Sequence, residues 1–253
     1  MNSLTFAIKF FTRLPWPREA KWEAKAAAGA LGVLPLVGLL LGVWLAGGSY
    51  LITGFLGKNW APILQAALLI FWEWIMGGSL FLDGFADTCD GVFSGTPPER
   101  ALEIMHDSRI GSMGAIGLNL MFILKLGLMV QLLESASWPL WKFLIVYACW
   151  SKWLVSLAVF WLKAAKNHGL ASFFQQERNP ASWWAGTFMM AVSSVLLLPV
   201  RFWMVALPFS GLTVFGTGLW LQRRLGGQTG DTYGFLSQIA ELSFLLAAVI
   251  GLS

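Results

Sequence analysis

Charge is the first thing this chain lacks. Only 17 Lys and Arg and 13 Asp and Glu occur in 253 residues, so that 12% of the chain is charged, about half the share usual in soluble domains. With 57% apolar residues and a mean hydropathy of +0.67, the polar surface is too small to clothe a water-soluble core. Cysteine is nearly absent. Cys89 and Cys149 are the only two, with no Cys-x-x-Cys and no Cys/His cluster, which excludes a disulfide framework and a zinc site. A net charge of +4, scattered along the chain, is too weak for a nucleic-acid footprint, so no nucleic-acid partner is expected. The stretch "MNSLTFAIKFFTRLPWPREAKWEAK" has no unbroken apolar core before a small-residue cleavage site, and two prolines interrupt it; no removable signal peptide is expected. Internal repeats, low-complexity tracts, a soluble domain and the alternating strands of a membrane barrel are missing as well.

What is present is a series of apolar windows, several reaching the roughly 20 residues a helix needs to cross a bilayer. They predict an all-α, polytopic integral membrane helix bundle of about seven spans, near 28–47, 61–82, 113–133, 138–162, 182–200, 202–221 and 235–252, forming one membrane-embedded domain over 1–253. Pro199 and Arg201 divide the fifth span from the sixth, as a tight external turn or as a kinked re-entrant pair. With a cytoplasmic amino terminus, Lys9, Arg13, Arg18, Lys21, Lys25, Arg100, Arg109, Lys163, Lys166, Arg178, Arg223 and Arg224 lie inside, against Lys58 and Arg201 outside. That imbalance is the positive-inside pattern, and seven spans then put the carboxyl terminus outside. Phe6, Phe10, Phe11, Leu14 and Trp16, beside Lys9 and Arg13, make the opening arm either an interfacial amphipathic segment or a solvated linker. Trp60, Trp138, Trp183 and Trp184 fall near span ends, as interfacial aromatic belts do.

The scarce acids are crowded. "FLDGFADTCDG", residues 81–91, carries Asp83, Asp87 and Asp90, which on a helix occupy the i, i+4, i+7 positions of one face. Like charges so close repel, and a bound divalent cation with oxygen ligands, such as magnesium, calcium or manganese, relieves them. Gly84 and Gly91 leave room for a phosphate or a backbone to approach. In "PPERALEIMHDSRIGSMG" a proline favours a helix start, and Glu99, Glu103 and Asp107 again step by four, so a second acidic face is expected opposite the first. Arg100 and Arg109 lie in the same loop, and "IGSMG" offers N–H groups at a helix start, which together suit an anion such as phosphate. The loop "RRLGGQTGDTYG" repeats the theme with Arg223, Arg224, Thr229 and Asp231, a second clamp for a phosphorylated ligand. The plainer alternative is a pair of solvated loops whose acids neutralise neighbouring arginines.

Four charges fall within apolar segments: Glu73, Lys125, Lys152 and Glu241. Each costs about 2.5–3.5 kcal/mol there unless paired, so mutual pairing is expected; lysines lining a polar cavity are the alternative.

The stretch "GGSLFLDGFADTCDGVFSGTPPERALEIMHDSRIGSMG" closely resembles the signature region of the adenosylcobinamide-GDP ribazoletransferase family, the membrane-embedded cobalamin synthases. "FFTRLPWP", "VLPLVGLLLG" and "RRLGGQTGDTYG" extend the resemblance, while 135–220 matches loosely. The resemblance implies a magnesium-dependent transferase of the bacterial inner membrane, with its active site cytoplasmic. A hydroxyl of α-ribazole, or of its 5′-phosphate, attacks the phosphate bonded to cobinamide in adenosylcobinamide-GDP, and GMP leaves. Association with other enzymes of cobalamin assembly is part of what it implies. Carried over by position, Asp83, Asp87 and Asp90 are the principal metal-binding acids; Glu103 and Asp107 complete the metal shell or act as base, Asp107 being counted with the metal ligands. Arg100, Arg109, Arg223, Arg224, Thr229 and Asp231 are the expected substrate-binding residues. Where many relatives carry histidine before "LDG" this chain has Phe81, and where lysine often precedes "DSRIG" it has His106. A CDP-alcohol phosphotransferase and a transporter are the rival readings. "DGFAD" and "DGVFSG" lack the Ala-Arg of the first, and the acids sit at a rim rather than at the midplane sites of the second.

Overall fold

A computed structural model describes residues 3–16, 24–56, 61–77, 79–135, 139–165, 170–176 and 179–252. Arg18, Lys21, Lys58, Lys166, Arg178, Trp60 and Trp138 lie outside the described residues. The described chain is helical: α1 (Ser3–Phe11), α2 (Ala24–Ala28), α3 (Ala30–Leu56), α4 (Pro62–Gly77), α5 (Leu80–Val92), α6 (Pro98–Ile104), α7 (Ser112–Ser135), α8 (Leu140–Trp161), α9 (Leu170–Gln176), α10 (Pro180–Leu197), α11 (Val200–Leu225) and α12 (Gly230–Leu252).

Five helices, α3, α7, α8, α11 and α12, are long and apolar enough to cross a membrane, and a sixth span results if α4 and α5 are one broken crossing. The count of seven differs from this in two places. The window 61–82 breaks within "GGS", and α5 turns 99° from α4. The window 182–200 becomes α10, whose Asn179 cap, serines and threonine make it too polar to stand among the five. The 202–221 window is the middle of α11, which runs through Pro208 without ending.

The bundle is built around α8, most of which is buried, and α3 lies along it. Gly38 and Gly42, four apart on α3, make that contact close: a Cβ on Gly42 would stand 2.5 Å from the Ile145 Cα, and one on Gly38 would stand 2.6 Å from the Ala148 carbonyl oxygen. Helices without a hydrophobic force between them in lipid associate through such small residues. The last helix, α12, packs against α5, α7, α8 and α11. On the outside, Ile116, Leu120, Ile123 and Leu124 of α7 and Met204 and Leu212 of α11 are exposed, an apolar surface suited to acyl chains.

The described part of the opening arm is not a solvated linker. Phe6, Ala7, Ile8 and Phe11 of α1 are buried, packed on α3, with Phe11 stacked on Phe81 at 5.8 Å. Among the two belt tryptophans described, Trp184 is exposed while Trp183 is buried, stacked on Phe160 at 5.2 Å.

The four intramembrane charges pair with one another. Lys125 Nζ lies 2.9 Å from Glu73 Oε2 and 2.9 Å from Glu241 Oε2, and Lys152 Nζ lies 3.1 Å from Glu241 Oε1. The Lys152 ammonium also donates to Ser237 Oγ at 2.9 Å, and the Tyr147 hydroxyl bridges the two glutamates. Two cations and two anions from α4, α7, α8 and α12 thus cancel within one buried group, which is how charges persist inside a membrane bundle.

Candidate active site

The three aspartates do lie on one helix, α5, and they grade inward: Asp83 exposed, Asp87 half-buried, Asp90 buried. What brings further groups to them is the contact between α5 and α12. A Cβ on Gly84 would meet the Asp231 Cα and carbonyl oxygen at 2.8 Å, so Gly84 serves the approach of a backbone. Gly234 closes on the Phe81 carbonyl at 3.0 Å in the same way. Asp231, at the first turn of α12, is thereby drawn beside α5, and Asp87 feels the charges of Asp83, Asp231 and Asp90 together. His106 is near enough to act electrostatically on Asp231. The two loops expected to form separate clamps therefore meet at one acidic centre.

Asp90 has a second task. Its Oδ2 accepts from the Gly111 N–H at 2.7 Å and its Oδ1 from the Gly114 N–H at 2.7 Å. The anion at the start of α7 is thus a side chain of the protein itself, and these two N–H groups are not open to a phosphate. Gly111 and Gly114 are needed here because a Cβ on either would stand under 2.5 Å from an Asp90 oxygen. We expect Asp90→Ala to lower stability by about 2–4 kcal/mol, the loss of two charge-assisted bonds to buried donors. Thermal melting in detergent checks this, and an unchanged melting temperature would refute the cap.

The second acidic face is cut short: Glu99 and Glu103 share α6, but α6 stops at Ile104 and Asp107 lies beyond it. Arg100 Nη1 binds Glu103 Oε2 at 2.7 Å, both exposed, and Arg109 Nη2 binds Asp107 Oδ2 at 2.7 Å. Hydrogen bonds from the Arg109 guanidinium and backbone hold the Asp107 carboxyl down at about 2, which leaves it a weak proton acceptor. These pairs follow the plainer alternative of acids neutralised by neighbouring arginines.

In the "RRLGGQTGDTYG" loop, Arg224 Nη2 donates to the Thr96 carbonyl at 2.7 Å and towards that of Val92 at 3.4 Å, strapping the end of α11 to the turn after α5. Arg223 is exposed. Thr229 caps α12: its hydroxyl accepts from the Thr232 N–H at 3.2 Å while its own N–H donates to Thr232 Oγ1 at 2.8 Å, a reciprocal cap. Gly226 ends α11 at φ +79°, a conformation that favours glycine.

Asp83 and Asp87 open onto a cavity of about 290 Å³, lined also by Trp74, Ser79, Ser108 and Ile110. Trp74 and Ser79 had no signal in the sequence; Ser108 stands within "DSRIG". The donors here are all oxygens, the type that magnesium takes. Among the described residues, no three Asp, Glu, His or Cys side chains enclose a metal by themselves. That is compatible with magnesium, which takes one or two carboxylates and fills its shell with waters and substrate phosphate.

The protein-family model described as cobalamin-5-phosphate synthase matches residues 3–249. An adenosylcobinamide-GDP ribazoletransferase of Desulfitobacterium hafniense (strain Y51) is 32% identical over 98% of this chain and 96% of its own length. Proteins of the same name from Shigella dysenteriae serotype 1 and Escherichia coli O45:K1 are 33% and 32% identical, each over 98% of this chain and 99% of their own. No solved structure matches. Aligned from end to end with these relatives, the chain belongs to the cobalamin-5-phosphate synthase family.

Proposed function

We propose that this protein is an adenosylcobinamide-GDP ribazoletransferase, and that its centre is the group of Asp83, Asp87 and Asp231. The acceptor is α-ribazole or its 5′-phosphate. Its hydroxyl oxygen bonds to the phosphorus attached to cobinamide, the bond from that phosphorus to the GMP half breaks, and GMP departs with the electron pair. The hydroxyl proton passes to a carboxylate, for which we take Asp87 or Asp231; Asp107, hydrogen-bonded by Arg109, is the weaker base. The observation that carries the reading is two carboxylates of α5, Asp83 and Asp87, at an open cavity, with Asp231 of α12 brought beside them by the contact at Gly84.

Asp83 and Asp87, with Asp231 beside them, would hold magnesium, while both oxygens of Asp90 already accept backbone N–H groups. Bound there, the ion would offset the negative charge of the diphosphate. Arg109 and Arg100 stand exposed at the same loop, where their guanidinium groups can exchange a carboxylate for a phosphate. The test is purified protein in detergent with magnesium, adenosylcobinamide-GDP and α-ribazole 5′-phosphate. GMP release that stops on chelation supports the reading, and no release by folded protein overturns it.

The acidic end is proposed to face the cytoplasm from a bacterial inner membrane. Arg100, Arg109, Lys163, Arg223 and Arg224 belong to loops and helix ends on that side, as the positive-inside rule requires. Since α12 starts at this end and runs away from it, a reporter fused after Ser253 is expected to be external. A cytoplasmic reporter would reverse the orientation. Association with other cobalamin-assembly enzymes belongs to the same proposal and is read by co-purification from solubilised membranes.

A further inference from the structure

Asp83 borders two cavities. One is the open cavity it shares with Asp87 and Ser108. The other has a volume of about 100 Å³ and is walled by α1, α3, α5, α8, α9 and α12. Its wall is aromatic, with Phe10, Phe11, Phe81, Phe174 and Tyr233 among the lining residues. The rings form a continuous set: Phe11 stacks on Phe81 at 5.8 Å, and Phe174 stands 6.3 Å from Phe11 and 6.4 Å from Phe10. Gln175 Nε2 donates to the Tyr233 hydroxyl at 3.1 Å, which fixes that ring. Among the described residues no lysine or arginine lines the cavity, and the charged ones that do are two acids, Asp83 and Asp231.

We infer that this aromatic cavity is the acceptor subsite, taking the flat uncharged base of the ribazole acceptor and presenting the attached ribose to Asp83 and Asp231. This rests on the transferase reading above. Three features fix the chemistry. Size excludes a corrin, since a cavity of about 100 Å³ is far below the roughly 300–1,000 Å³ of pockets for drug-sized ligands; a fused-ring base enters only as the aromatic side chains of the wall part, because one ring alone takes an apolar cavity of about 150 Å³. Charge disfavours the diphosphate, which the two carboxylates at the cavity edge repel. Shape favours a planar ring, because aromatic faces stack best on flat partners. Sugar hydroxyls, unlike phosphates, can donate hydrogen bonds to the two carboxylates. The wider cavity, which Asp83 also borders, is left for the diphosphate of the donor, so the hydroxyl and the phosphorus would meet beside Asp83.

Ala171 lines the aromatic cavity on α9, away from the acidic centre, and Ala171→Leu would fill part of it. An unaccommodated methylene in an apolar subsite changes discrimination by about 10–200-fold. We expect Ala171→Leu to raise KM for α-ribazole 5′-phosphate at least about tenfold and to leave KM for adenosylcobinamide-GDP unchanged. Equilibrium dialysis of α-ribazole 5′-phosphate should show the same loss without turnover. Should Ala171→Leu fail to fold, Phe174→Leu, which keeps an apolar side chain but removes a stacking face, serves with the same expected split. Wild-type turnover accompanied by an unchanged acceptor KM in the folded variant, or by a rise in the donor KM instead, overturns the subsite. Folded wild-type protein that releases no GMP overturns the transferase reading itself, a distinguishable failure that takes the subsite with it.

Discussion

Replacing Asp87 by asparagine is expected to reduce GMP release at least about 100-fold, the lower end of what a positioned proton-transfer group contributes, while the folded protein becomes no less stable. The two halves of that expectation come from one fact. Asp87 is half-buried, which by itself disfavours its charge, and the repulsion of Asp83, Asp231 and Asp90 adds to that cost. An amide of the same shape removes one of four negative charges, so the protein without cation gains what the repulsion cost. Chemistry loses by the same change, because an amide neither accepts the hydroxyl proton nor holds a hard cation. Magnesium should raise the melting temperature of the wild type, as any ligand specific for the folded state does, and should do so far less for Asp87→Asn. Asp90→Ala, by contrast, is expected to lose stability with or without magnesium, because its carboxylate caps α7. A folded Asp87→Asn protein with wild-type turnover would remove Asp87 from the centre.

Period and composition were enough to place the acids. The four-then-three spacing of Asp83, Asp87 and Asp90 is a helical face, and the structure makes it one in α5. Contacts across the chain were not legible in the same way. Asp231 reaches Asp87 because Gly84 and Gly234 let two backbones touch, and a glycine in sequence does not say which backbone will come. Asp90 reads like its two neighbours, yet one more turn inward along α5 brings it to the N–H groups of residues 21 and 24 positions later. Glu103 and Asp107 share the i, i+4 spacing but not a helix, since α6 ends between them at Ile104, and each acid takes the nearest arginine. The break of the second span falls at "GGS", three small residues that an apolar window of about 20 residues averages over. Pairing of Glu73, Lys125, Lys152 and Glu241 was foreseeable from the cost of isolated charge in lipid; the identity of each partner needed the packing of four helices.

That buried group supports the remaining prediction. Lys125 is its hinge, with Glu73 and Glu241 both at 2.9 Å, so Lys125→Met would leave two carboxylates facing Lys152 alone. Breaking a buried pair from one side costs about 3–5 kcal/mol, and we expect a loss of that size in denaturation of the detergent-solubilised protein. Adding Glu73→Met to Lys125→Met restores neutrality: Lys152 and Glu241 remain paired at 3.1 Å, and Tyr147 keeps Glu241 as acceptor at 3.3 Å. The double variant should therefore recover most of the stability, with a coupling of about 1–3 kcal/mol between the two positions. The cavity beside these residues, about 50 Å³, has room for a few waters and none for a corrin, so the folded double variant should keep its KM for both substrates. A double variant as unstable as the sum of its singles would show that the pair is not coupled. A raised KM for adenosylcobinamide-GDP would instead couple this buried group to donor binding, by way of Phe81, whose ring lies 4.1 Å from the Lys152 ammonium.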